Sequence, residues 1–430
     1  MKILHYGLGY PPERSGGLVQ YVTDLMTEQF RQGNSVVYLF PGRINLFDRR
    51  TKIKKGKERI PGIVSYELIN SLPLAVFGGI KEPEKFMTSV DENIYENFLN
   101  ELEPDIIHVH TLMGLHQEFF TVANRLKIKI VYTSHDYFGL SPNPTFYFSG
   151  KSWDDENSLN YWLNVSQAAM SVKKLRALQS SFYPKLRDIV KKFKKDSFQK
   201  EAHYSIKSNS EYSENQIVSF NNLKDYYQNI FEKIDNFHFN STVAKEVFEK
   251  NLRTLPKSSF LLSISNADIH GGKKHISLDM GQINKITYIG QYAEFKGFYD
   301  FLELAKRNPS LHFEIYGEDI NPVVPYNVKN RKRFASDEKM QVFKDIQLLI
   351  VPSRWKETFN FLTIEALDKE VPVFVLENVG AKDLLPSSFI LKGVREMLLS
   401  GEYRITYKID SFTKHSKKIE SEYMACLSRK

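Results

Sequence analysis

The chain has 430 residues, 42% of them hydrophobic and 26% charged, with a formal net charge of +8 at pH 7. That length exceeds one ordinary core and predicts two domains, while the composition excludes a disordered chain. No run approaches the roughly 18 apolar residues of a membrane-spanning helix, and the lone Cys426 excludes an internal disulfide and fits a reducing cytosol.

In chain order, KILHYG (2–7) reads as a short strand running into a loop, without the apolar core of a secretory signal; a cytoplasmic protein is expected. LVQYVTDLMTEQFRQ (18–32) has helical spacing, with Leu18, Val22, Leu25, Met26, Gln29 and Phe30 on roughly one face. SVVYLF (35–40), DIIHVH (105–110) and IKIVYTSHD (128–136) are further strands. Strands alternating with helices predict a doubly wound parallel sheet. From about 150 to 235 the rhythm fails, and a basic, aromatic-rich helical insertion is expected. It resumes with FHFNS (237–241), a helix over 242–252 and a strand over 258–266, after which HGGKKH (270–275) reads as an interdomain linker. A second α/β series runs through KITYIG (285–290), LHFEIYG (311–317), IQLLIVPS (346–353) and VPVFVL (371–376), and a last amphipathic helix covers 412–427. The implied units are 1–269, 270–411 and 412–430, with a cleft between the two α/β halves.

The most informative stretch is VPSRWKETFNFLTIEAL (351–367). Glu357 and Glu365 bracket a strand-to-helix turn, where ligands of open α/β sheets lie and where carboxylates can accept from paired hydroxyls. The same two positions also fit a helix cap and a solvated helical residue. In YIGQYAEFKGF (288–298), a loop carries Lys296 and Gly297 from a strand end to a helix start, where a lysine can neutralise a leaving diphosphate. Gly16 and Gly17 before a helix fit an anion contact as well as an ordinary tight turn. Gly7-x-Gly9 does not make a dinucleotide site, because Pro11 and Pro12 remove the amides that would face a pyrophosphate. His108, His110, His116 and His135 lack metal-site spacing, and structural or hydrogen-bonding roles fit them better; His135 stands apart at a strand's carboxyl end. The stretch 172–195 sets many Lys and Arg against the single acid Asp188, with apolar residues every three or four positions. It fits an interfacial basic hairpin on an anionic membrane surface and equally a solvated helix pair.

Together these elements resemble the retaining glycosyltransferases of family 4, of GT-B fold: two doubly wound Rossmann-like domains facing a cleft, here with a helical insertion in the first. The resemblance rests on SGG (15–17), PDIIHVH (104–110), YTSHD (132–136), FNSTVAKEVF (239–248), YIGQYAEFKG (288–297), FEIYG (313–317) and the 351–367 segment with VPVFVLENVGAKDLL after it. It implies sugar transfer with retention from a nucleotide-diphosphate donor to a glycan or lipid-linked acceptor, with no cofactor, no metal and no nucleic-acid partner. It implies that 1–269 faces the acceptor, 270–411 binds the nucleotide sugar, and 412–430 crosses back onto the first half. His135, Lys296 and Glu357 would be catalytic: Glu357 on donor-sugar hydroxyls, Lys296 on the diphosphate, His135 near the reacting carbon. Gly16, Gly17, Gly290, Gln291, Phe359, Asn360, Phe361 and Glu365 would bind the donor, Glu365 through the ribose. The departing phosphate would take the acceptor's proton. Three positions depart from the family pattern: Gln291 replaces an arginine, and Asn360 and Ala267 replace glycines. They leave room for a second reading, a non-catalytic sugar-nucleotide-binding partner that scaffolds an active transferase. The first reading places the protein in surface polysaccharide biosynthesis, cytoplasmic and peripheral on the inner membrane face.

Overall fold

Strand β1 (Lys2–Tyr6) is buried on both faces from Ile3 onward, so its apolar run marks the middle of a covered parallel sheet. A computed structural model describes every residue except 46, 76–77, 180–202, 336–337, 398–399 and 430. The other strands of this first lobe are β2 (Ser35–Pro41), β3 (Lys52–Lys55), β4 (Val64–Ile69), β5 (Ile106–Val109), β6 (Lys129–Thr133), the small hairpin β7 (Tyr147–Phe148) and β8 (Lys151–Ser152), β9 (Asn236–Phe239) and β10 (Ser259–Leu261). Apart from the hairpin they form one sheet in the order β10-β9-β6-β5-β1-β2-β4-β3. All its pairings are parallel except β3 on β4.

The second lobe holds β11 (Gly272–Asp279), β12 (Lys285–Ile289), β13 (His312–Tyr316), β14 (Val328–Lys332), β15 (Leu349–Val351), β16 (Val373–Leu376), β17 (Ile390–Leu391) and β18 (Glu402–Ile409). A parallel sheet runs β14-β13-β12-β15-β16-β17, and β11 pairs antiparallel with β18 in a separate ribbon. The expected linker at 270–275 is therefore corrected: from Gly272 it is strand. The strand expected over 258–266 shortens to Ser259–Leu261.

The two-lobed α/β architecture read from the sequence is the one observed. Reversal of strand order at the centre of each sheet opens a crevice at the carboxyl ends of the strands, and the lobes meet across it. Ser241 Oγ donates to the Thr358 carbonyl at 2.6 Å, Thr358 Oγ1 to the His135 carbonyl at 2.8 Å, and Tyr137 OH to the Lys356 carbonyl at 2.7 Å. Asp383 accepts from both the amide and the hydroxyl of Thr242, each at 2.6 Å. That contact, rather than one toward a ligand, is what occupies Asp383. The last helix (Phe412–Ser428) packs on the helix Gly17–Arg31 of the first lobe. One buried apolar cluster runs from Ile3, Val22 and Leu25 through the second sheet to Ile419 and Tyr423.

The expected insertion opens with the β7–β8 hairpin and contains the helices Leu159–Val165, Val172–Leu178 and Glu214–Phe231. Ser213 caps the last of these in a reciprocal box with Gln216, and Phe220, Leu223 and Tyr227 bury its inner face. Most of the basic stretch 172–195 lies outside the described residues. Among the described residues, no helix is long and apolar enough to cross a membrane.

Candidate functional site

Two strand-end turns of the second lobe build the site. Glu357 lies between β15 and the helix Phe361–Asp368. Its amide donates to the Asn378 carbonyl and its carbonyl accepts from the Gly380 amide, each at 2.8 Å, so the turn is tied at both sides to the loop after β16. The side chain is buried, and both its oxygens accept hydrogen bonds. Oε1 accepts from Lys296 Nζ at 2.6 Å and from Asn360 Nδ2 at 3.2 Å, and Oε2 from Ser353 Oγ at 2.6 Å. A buried carboxylate with this many donors is held in one rotamer. The reading of Glu357 as a helix cap is thereby overturned. Asn360 is the cap, with Oδ1 accepting from the amide and the hydroxyl of Thr363, each at 2.9 Å. That local duty accounts for an asparagine where the family pattern has glycine.

Lys296 ends a short 3-10 turn after β12, and Gly297 follows at φ 72° before the helix Phe298–Arg307. Its ammonium also stands over the rings of Trp355 and Phe295, 5.2 and 5.8 Å from their centroids. Gly297 is what allows this turn to lie against β15, since a Cβ there would sit 1.8 Å from the Pro352 carbonyl oxygen. Gly297→Ala combines left-handed strain with a backbone clash and is expected to destabilise the fold by roughly 3 kcal/mol or more. A urea-unfolding midpoint within experimental error of the parent would contradict this.

Glu365 is also buried, which corrects the view of it as a solvated helical residue. Its Oε1 accepts from Lys339 Nζ at 2.6 Å and from Asn266 Nδ2 at 2.9 Å. Across the crevice, Gly16 (φ 113°) caps the helix Gly17–Arg31, and a Cβ on Gly17 would lie 2.8 Å from the Phe361 ring. His135 lies two residues beyond β6, its ring 5.0 Å from that of Tyr21. Burial lowers its pKa to about 3, so the imidazole is neutral at physiological pH; burial likewise raises the neighbouring Asp136 to about 6.

Gly16, Gly17, His135, Glu357, Phe359, Asn360, Phe361 and Glu365 all line one cavity of about 780 Å³ between the lobes. Gly290, Gln291 and Lys296 line an adjoining cavity of about 240 Å³, which shares Asn360 with the first. The Lys296–Glu357 pair lies at the boundary of the two. Gln291 is exposed, and its carbonyl accepts from the Tyr288 hydroxyl. Trp355, Thr358, Asn240, Phe334 and Lys339 also line the larger cavity and were not singled out from the sequence. Trp355 sat inside the segment already chosen. Lys339 gave no local signal, because its approach to Glu365 is made by the tertiary fold. Among the described residues, nitrogens of His5, His108 and His110 lie within 4.8 Å of one another, close enough for a metal ion. Both nitrogens of His108 are engaged, however, by Tyr423 OH at 2.5 Å and Thr133 Oγ1 at 2.7 Å.

Residues 15–172 match the family model described as Glycosyltransferase Family 4. That match covers somewhat over a third of the chain, within the first lobe. A Klebsiella pneumoniae relative, described as an uncharacterized 42.6 kDa protein in the cps region, is 21% identical over 315 residues, covering 70% of this chain and 66% of that protein. The chain thus matches just under two thirds of that relative's length. Solved structures of similar outline include an alpha,alpha-trehalose 6-phosphate synthase from Burkholderia multivorans (TM-score 0.49, 10% identical, 99% of this chain and 93% of that one). Another is Anabaena HepE in complex with UDP-glucose (TM-score 0.46, 11% identical, 99% and 92%). The chain presents Glu357, Lys296 and His135 to the crevice between its lobes, with the carboxylate and the cation in direct contact.

Proposed function

We propose that this chain is a family 4 glycosyltransferase that transfers a sugar, with retention, from a nucleotide-diphosphate donor to a glycan or lipid-linked acceptor during surface polysaccharide synthesis. The observation that carries the reading is the Lys296–Glu357 clasp at 2.6 Å, held by Ser353 and Asn360 at the boundary between the two cavities. A cation beside the smaller cavity suits a diphosphate, and a carboxylate facing the larger one suits sugar hydroxyls. No nucleophile-and-base pair is required if the departing phosphate takes the acceptor's proton. Neutral His135 across the crevice then acts as a hydrogen-bonding group rather than as an acid. Gly16 and Gly17 at the helix N-terminus suit the phosphates. Within this reading no metal takes part, and the basic segment 172–195 attaches the protein to the anionic inner face of the membrane. The occurrence of a relative in a cps region supports the polysaccharide assignment.

Two features favour the second reading, a non-catalytic partner that binds sugar nucleotide and scaffolds an active transferase. Glu365 already pairs with Lys339 and Asn266 through Oε1, and Gln291 brings no charge to a diphosphate. A thermal-shift screen of nucleotide sugars tests both readings. The donor is expected to raise the melting point, since a ligand that binds only the folded state stabilises it by about 2.7 kcal/mol at 100 times its Kd. Slow release of nucleoside diphosphate from that donor, lost in Glu357→Gln, supports the transferase. Binding without turnover across a panel of acceptors supports the scaffold, and the absence of any shift defeats both.

A further inference from the structure

Beneath the crevice a line of buried polar groups crosses the first lobe and ends at His135. At its far end His238 Nε2 stands 2.7 Å from the Leu262 carbonyl oxygen. A carbonyl only accepts, so this nitrogen carries the proton. The ring is neutral, burial having lowered its pKa to about 4, so Nδ1 is bare and accepts from Thr133 Oγ1 at 2.9 Å. With its one proton so directed, Thr133 accepts from His108 Nε2 at 2.7 Å. His108 Nδ1 in turn accepts from the Tyr423 hydroxyl at 2.5 Å. The Tyr423 oxygen accepts from Gln29 Nε2 at 3.3 Å, which orients the amide, and Gln29 Oε1 accepts from His5 Nε2 at 2.8 Å. His5 Nδ1 accepts from His110 Nε2 at 3.0 Å, and His110 Nδ1 from His135 Nε2 at 3.2 Å. Burial keeps His5, His108, His110 and His135 neutral as well. Each proton in the line follows from the one carbonyl at its end.

We propose that this directed line fixes His135 as its Nε2–H tautomer, so that the bare Nδ1 is offered to the crevice as an acceptor for a hydroxyl of the donor sugar. His135 lines the larger cavity, and among the described residues its Nδ1 has no protein partner. His110, His5, Gln29, Tyr423, His108 and Thr133 are positioning residues: which nitrogen of a histidine is bare is set by the bond its other nitrogen makes. Tyr423 belongs to the last helix, which thus acts on the crevice through the buried groups of the first lobe. The ligand in this proposal rests on the transferase reading, whereas the tautomer does not.

The test uses the full chain labelled with 15N-histidine, with His135 assigned by its loss in His135→Asn. At pH 7 the His135 signals are expected to show the proton on Nε2. In Tyr423→Phe the Gln29 amide is free to turn and the reversed set of tautomers through His5 and His110 becomes available. The His135 signals should then move toward the Nδ1–H form, with a rise of about fivefold in KM for the donor and a smaller change in kcat, as for a bond made equally in ground and transition states. Gln29→Leu serves if Tyr423→Phe does not fold. A proton on Nδ1 or on both nitrogens in the parent protein overturns the proposal. So does an unchanged tautomer in a folded variant, or stoichiometric metal bound by His5, His108 and His110 in the purified chain. The expected tautomer in a protein that hydrolyses no nucleotide sugar would uphold the relay and defeat the transferase reading.

Discussion

Lys296→Ala is expected to lower sugar transfer on the order of 100- to 1,000-fold, the range seen when one preorganised group facing developing charge is removed. Lys296 has no competing task in packing that alanine would disturb deeply, since its helix is set by Gly297 and Phe298. What goes is the cation 2.6 Å from Glu357 and beside the smaller cavity. Glu357 would keep Ser353 and Asn360 as donors, so the turn should hold its shape. Adding Glu357→Gln to Lys296→Ala should cost little more than the worse single change, because both disable the same clasp. Steady-state rates for the four proteins, with melting points beside them, check this. A folded Lys296→Ala protein turning over within threefold of the parent would refute the assigned role.

Mild acid should unfold the protein steeply. Burial lowers the imidazoles of His5 and His238 to about 4, and those of His116, His135 and His415 to about 3, from an ordinary value of 6.5. Below pH 6.5 the unfolded chain binds protons that the folded chain refuses, so stability rises with pH. The contribution is fully present above the unfolded value and is lost progressively as pH falls toward 4. Each such ring removes about 1.4 kcal/mol per pH unit. Several acting together remove a typical stability of about 5–15 kcal/mol within roughly two units. Urea midpoints are expected to be level near pH 8 and to collapse between about pH 6 and 4.5. A level midpoint down to pH 4.5 would show that the rings are not held neutral. His116→Gln, outside the relay, should lessen the slope by about one group's share.

Much of the fold was legible because both sheets are covered by helices. Strands such as β15 and β16 then appear as apolar runs between helical spacings, and the turns after β12 and β15 hold Lys296 and Glu357. Polar strands on the flanks gave no such sign. Val328–Lys332 reads VKNRK and is a strand only because β13 lies beside it. Glu402–Ile409 did carry a signal, with Tyr403, Ile405, Tyr407 and Ile409 alternating with polar residues, and its partner Gly272–Asp279 was hidden by the glycines before it. Within the site, residue type was readable but state was not. Occupation of Glu365 by Lys339 and Asn266, and the capping by Asn360, depend on neighbours far along the chain or on rotamers. The histidines looked scattered because β1, β5 and β9, which bear His5, His108 and His238, and the segments after β5 and β6, which bear His110 and His135, become neighbours only in the sheet.

The ribbon of Gly272–Asp279 and Glu402–Ile409 sets how the lobes can move. The chain leaves the first lobe and returns to it by connections that lie abreast: a Cβ on Gly271 would fall 2.5 Å from the Ser411 amide, and the Phe412 amide donates to the Ile269 carbonyl at 3.4 Å. A single tether would let the halves swivel and twist freely. Two laid side by side restrict swivel and twist, and they pass close together at Gly271 and Gly272, whose φ of 72° and 107° favour glycine. Both lobes are thus fixed to one another by two adjacent connections at one side and by the hydrogen bonds across the crevice at the other.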